Sequence, residues 1–149
     1  MKTSLLIVVT ALAALAGCTR TEPTKPARRG WGSVMTEVGR RFELAGRAGV
    51  AKRWELAAYE VDEMKESFDE LPTAELPKEG NTSTLVPTSE AFAKTQLEEL
   101  LHAADAKDEA AFVAAFNRAA AQCNACHVSS GHGFIEVPTT PGKAVPAIE

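Results

Sequence analysis

Between Trp54 and Leu71 the residues Trp54, Ala57, Val61, Met64, Phe68 and Leu71 recur at alternating steps of three and four. At about 3.6 residues per turn this series falls on one face of a helix, whereas a strand would scatter it over two. A helix with one apolar stripe needs other helices to cover it. The chain supplies them. From about Gly32 to Ala48, Met35, Val38, Phe42 and Ala45 keep the same spacing. Gly46 and Gly49 are expected to mark the tight connection to the second helix, over about 50–71. Residues 72–87 hold Pro72, Pro77, Gly80, Asn81 and Pro87 and read as a long loop. A third helix is expected from an N-cap at Thr88 or Ser89, with Ala93, Leu97, Leu100, Leu101 and Ala104 on one face. After a break at 105–108, Asp108 is placed to cap an alanine-rich fourth helix that runs to about Ser130 and stops at Gly131. No strand pattern of comparable length occurs. The expected fold is therefore all-α: a four-helix bundle, up-down-up-down, over residues 31–132. An irregular tail, 133–149, with Pro138, Pro141 and Pro146, follows it.

The start of the chain has a different character. Residues 1–17 combine an early Lys2, an apolar run from Leu5 to Leu15 and small residues at the end, the layout of a secretory signal peptide. The run is too short to span a membrane. Leu15-Ala16-Gly17-Cys18 resembles the lipobox of bacterial lipoproteins. That resemblance implies that Cys18 becomes the first mature residue and carries acyl chains, whose buried methylenes each contribute about 0.8 kcal/mol to anchoring. The alternative is an ordinary signal peptide with a free Cys18. Residues 18–30, with Pro23 and Pro26, then form a tether between lipid and domain. Thr19 stands where an aspartate often retains such lipoproteins at the inner membrane, which favours the outer membrane, facing the periplasm. The net charge of −4, without a basic patch or interleaved basic and aromatic residues, argues against nucleic acid as a partner.

One motif carries chemistry. Cys123-Asn124-Ala125-Cys126-His127 is the attachment pattern of c-type haem, in which each thiol adds to a vinyl group and the adjacent imidazole ligates the iron. On a helix the two cysteines and the histidine fall within an arc of roughly 100°, and Phe112, Phe116 and Ala119 project onto the same face. With lipid on Cys18 and one haem on the other two, the chain's three cysteines are used without a disulfide. A thioredoxin-like redox pair would need a βαβ context, which is missing. A zinc site would need two more ligands, with His102 and His132 as the strong candidates.

A helical bundle with CxxCH near its C-terminus resembles the cytochrome c prime family, over about residues 32–130. The stretch Met35-Thr36-Glu37-Val38-Gly39-Arg40 is also similar to the first helix of the methionine-ligated, low-spin members. The chain departs from the family where Gly131-His132-Gly133 stops the last helix, which in the family continues past the histidine through a basic residue. His127 is then the proximal iron ligand. Bundle topology ranks the residue opposite. Met35 lies near the start of helix one, at the end that His127 occupies, and is the candidate distal ligand. Met64 lies deeper, His132 would need the tail to fold across the opposite face, and His102 projects to solvent. Five-coordinate iron is the remaining possibility. Phe68, Phe92 and Phe116 are expected to pack against the macrocycle, Trp54 to be core, and Trp31 to cover the end of the bundle. Arg40 and Arg41 are read as propionate partners or as solvated helix residues. The run Glu60, Asp62, Glu63, Glu66, Asp69, Glu70 is read as an acidic helix face, able to steer a basic partner.

The expected function is electron transfer in the bacterial envelope by a monohaem c-type cytochrome. Its partners would be redox proteins and, through the lipid anchor, a membrane; family analogy adds a homodimer. The alternative is a five-coordinate haem protein that binds NO or CO for sensing or detoxification. A structural lipoprotein without haem is a third class. No residue set points to hydrolysis or phosphoryl transfer, so an enzyme is not expected.

Overall fold

The stripe that opens at Trp54 lies on helix α2 (Trp54–Glu70), where Ala57, Val61, Met64 and Phe68 are buried; Leu71, just beyond, is buried too. In the computed structural model, which describes residues 27–142, α2 packs mainly on α1 (Trp31–Val50). A continuous third helix, α3 (85–105), consists of Leu85–Phe92, a π-helical turn at Ala93–Leu97, and Glu98–Asp105. Helix α4 (Glu109–Ser129) packs against α3 and α1. Among the described residues there is no strand, only an isolated bridge between Gly30 and Glu75. The fold is all-helical and compatible with a helical bundle. No helix of the described residues is long and apolar enough to cross a membrane. Residues 1–26, which include the signal-like segment, Cys18 and most of the tether, lie outside the described residues, as do 143–149 of the tail.

The connection between α1 and α2 differs from expectation. Gly46 and Gly49 do not form it; both are buried inside α1. There the rings of Phe116 and Phe112 on α4 fill the space a β-carbon would occupy. The turn is made instead by Lys52, which takes the left-handed conformation at φ 57°. Its N–H bonds to the Gly49 carbonyl (2.9 Å) and that of Arg53 to the Ala48 carbonyl (2.9 Å), a Schellman closure. Lys107 repeats this between α3 and α4, at φ 56°. These two turns lie side by side, because Lys52 pairs with Glu109 at the start of α4 (2.8 Å) and Lys107 with Glu55 at the start of α2 (3.6 Å). As expected, Asp108 caps α4, its carboxylate accepting from the Ala111 N–H at 3.0 Å.

Helix α3 starts earlier than the proline pattern suggests. Pro87 sits in its first turn, where a missing N–H forfeits no intrahelical bond. Five residues along an ideal α-helix turn through roughly 140° net, which would set Phe92 and Leu97 on different faces. The wider π-turn brings both into the core, where they are buried.

The acidic run on α2 is partly interior. Arg41 of α1 is clamped by Glu37 (Nε, 2.8 Å), Glu60 (Nη1, 2.9 Å) and Glu63 (Nη2, 3.0 Å), and Glu60 is buried. The hydrogen bond with Glu60 is the main cause that holds the Arg41 guanidinium charged even beyond its usual range. Arg40 pairs with Glu37 at 3.0 Å. Both arginines are thus engaged by carboxylates of the chain itself, and Arg41 is neither solvated nor free for a propionate.

Two glycines of α1 are expected to respond oppositely to alanine. Gly39→Ala meets open space and gains helix propensity, raising stability by about 0.5–1 kcal/mol. Gly49→Ala drives a methyl into the Phe112 ring and lowers stability by about 1–3 kcal/mol. Arg41→Met leaves Glu60 buried without its partner and costs about 2 kcal/mol. Urea unfolding monitored by circular dichroism reads all three.

Candidate functional site

The face of α4 that enters the core sets the direction of the cysteine motif. Phe116 stacks on Phe42 of α1 with ring centroids 4.2 Å apart, and Phe112 meets Trp54 edge-on at 5.9 Å. Further along the same face, Cys123, Cys126 and His127 reach the wall of a cavity of about 580 Å³. That size is within the ~300–1,000 Å³ of small-molecule and cofactor sites. The other walls come from every part of the fold: Trp31 and Met35 on α1, Phe68 on α2, Leu76 and Lys78 in the following loop, and Leu85 and Phe92 on α3. Phe68 and Phe92 stack on each other at 5.1 Å. A smaller cavity of about 320 Å³ shares Met35, Phe92, Cys123 and His127 with the first and adds Val38, Phe42 and Met64.

Most of the expected site residues therefore meet. Cys123, Cys126, His127, Met35, Phe68 and Phe92 share one cavity, and His132 joins them. Phe116 does not line it: the room above Gly46 draws its ring into the α1–α4 contact instead. Met64 is fully buried and borders only the smaller cavity. His102 is exposed on α3, as expected.

Both thiols are free and poorly ionised. Burial pushes the Cys123 thiol up to about 12, and burial also raises that of Cys126. Reactive redox cysteines have lowered values; burial moves this pair in the opposite direction. Among the described residues no group of three or more His, Cys, Asp or Glu side chains is gathered to hold a metal ion.

The end of α4 holds the part of the site least expected from the sequence. Gly131 takes φ +84° and reverses the chain, with the His132 N–H on the His127 carbonyl at 2.7 Å. The chain after Gly133 then returns along α4. The Asn124 side chain makes two hydrogen bonds with the Val137 backbone, donating to its carbonyl (2.8 Å) and accepting from its N–H (2.7 Å). His127 Nδ1 lies 2.8 Å from the carbonyl oxygen of Ile135. The first part of the tail is thus fastened to the motif, and Val137 packs on the core. Only the left-handed glycine after the helix hinted at this reversal.

In the folded chain with both thiols free, alkylation with iodoacetamide at pH 8 is expected to modify Cys126 well before Cys123. Each unit of pKa removes about tenfold of the reactive thiolate. Peptide mass spectrometry measures the ratio, which equal reactivity in the folded protein would contradict and which denaturation should abolish. The chain matches no protein-family model, no curated protein and no solved structure.

Proposed function

We propose that this chain is a monohaem c-type cytochrome that carries electrons in a bacterial envelope. In this reading Cys123 and Cys126 become thioether sulfurs, His127 is the proximal ligand, and Met35 is the ligand opposite. The observation that carries it is that two thiols one helical turn apart, the imidazole next to them and a methionine thioether share one apolar cavity of about 580 Å³. Those residues suit a haem. The two sulfurs fix one edge of a flat group, the imidazole supplies nitrogen to a metal, and Phe68 and Phe92 offer apolar surface for a macrocycle. The haem supplies the one-electron chemistry; the chain contributes attachment, ligation and burial.

The resemblance to the cytochrome c prime family and an up-down-up-down order of the four helices belong to the same proposal. Support for that order comes from the side-by-side turns at Lys52 and Lys107, with the cavity bordered by the starts of α1 and α3 and the ends of α2 and α4. Lipidation at Cys18 would confine the carrier to a membrane surface, with outer-membrane sorting favoured by Thr19 and redox proteins, or a second copy, as partners. The gas-binding reading keeps one observation of its own. The smaller cavity beside His127, lined by Val38, Phe42 and Met64, has room for a diatomic ligand.

Visible spectra of the protein, made in a cell that matures c-type cytochromes, separate the readings. Electron transfer predicts sharp low-spin bands unchanged by carbon monoxide, and a Met35→Ala variant that becomes high-spin and binds it. A wild-type spectrum that is high-spin and shifts with carbon monoxide removes Met35 as ligand and favours gas binding. No haem band, with an unmodified intact mass, removes both.

A further inference from the structure

The hydrogen bond at His127 specifies more than a contact. A carbonyl oxygen only accepts, so the 2.8 Å approach of Nδ1 to the Ile135 carbonyl requires the proton on Nδ1. A neutral imidazole has one such proton, which leaves the lone pair on Nε2. An imidazole free in water prefers the opposite tautomer; the choice here is made by the partner.

That partner is not part of α4. It is delivered by the chain after the helix, through three fastenings. Gly131 reverses the backbone, with the His132 N–H on the His127 carbonyl at 2.7 Å. The Ile135 N–H bonds to the His132 carbonyl at 2.9 Å. The Asn124 amide holds Val137 by its two hydrogen bonds. Asn124 is the residue after Cys123, and about 100° of helical rotation carries it off the cavity face and onto the tail. The spacer inside the motif thus grips the segment that orients the histidine at its end.

We propose that residues 131–137 form a strap that sets the tautomer and ring orientation of His127, with Asn124 as its positioning residue. In the haem reading, on which the second half of this inference rests, Nε2 is the nitrogen offered to the iron. Donation from Nδ1–H to the carbonyl makes the imidazole a stronger electron donor. The strap then favours the oxidised iron and lowers the reduction potential.

The first test uses the full chain produced in a cell without cytochrome c maturation, in alkaline buffer. Long-range 1H–15N correlation spectra should show His127 with its proton on Nδ1, and Asn124→Ala should move it to Nε2. Val137→Pro, which removes the N–H that Asn124 accepts, attacks the clamp from the tail side and should do the same. In the haem-loaded protein, Asn124→Ala should retain covalent haem by mass while shifting the redox equilibrium about tenfold toward the reduced form, a rise of about 59 mV. Asn124→Asp keeps the acceptor for the Val137 N–H but loses the donor, and should fall between. A wild-type His127 protonated on Nε2, or a tautomer unchanged in both clamp variants, overturns the strap. A wild-type chain that takes up no haem removes the functional reading instead, and the tautomer measurement still decides the strap.

Discussion

The contact on which the rest of the structure depends is the seating of two phenylalanine rings in an α-helix that has no side chain to oppose them. Phe112 and Phe116 approach α1 at Gly49 and Gly46 so closely that a β-carbon on either glycine would overlap the ring. Each buried ring contributes about 1.5–3 kcal/mol from apolar area alone. The geometric effect matters as much as the energy. With both rings lodged in α1, α4 can neither rotate nor slide along its axis without losing the fit. Phe112 and Phe116 lie within roughly 20° of Cys123 in helical projection, so the seat also fixes the azimuth of the thiols. The direction of the site is decided two to three turns away from it.

A second economy is the repeated use of one helix ending. After α1, α3 and α4 a left-handed residue closes the turn: Lys52, Lys107 and Gly131. Lysine tolerates that backbone poorly, yet at the first two positions its ammonium also pairs with a glutamate at the start of another helix. At the third the closure does different work. With glycine there and the His132 N–H on the His127 carbonyl, the chain leaves the helix two residues after His127 and turns back over it. A helix that simply continued would send residues 131–137 away from the motif.

What could be read from the sequence follows the range of the interactions. The α2 seam was legible because periodicity is a local property, and so was the Asp108 cap, which involves a residue three positions on. The cysteine–histidine motif is local too, and its convergence with Met35, Phe68 and Phe92 followed from asking which helix ends meet. Most of the misreadings involve partners distant in sequence. Gly46 and Gly49 look like turn glycines until the α4 rings are known, and then they are packing glycines. Pro87 looks like a loop residue, although the first turn of a helix accepts it. The five-residue step from Phe92 to Leu97 breaks the α period and is resolved only by a π-turn whose core contacts compensate for it. Arg41 looks solvated because its carboxylates Glu60 and Glu63 lie on another helix. The strap is the extreme case: nothing near Asn124 announces that its amide will hold Val137.

These contacts divide the molecule by task. The rings in their glycine seats, and the Arg41 clamp between α1 and α2, join helices through residues that do not line the larger cavity. Several of the walls of that cavity are only half-buried, Met35, Cys123, Cys126 and His127 among them. A side chain that keeps some contact with water contributes less to the core and tolerates change of its partners better than Phe112 or Leu97. Stability and site therefore rest largely on different residues of the same helices. Such a division lets thiols, a thioether and an imidazole line one cavity although none is the best choice for packing. It also gives the strap its place, because a ring that the core does not immobilise must be oriented by hydrogen bonds from the chain that crosses it.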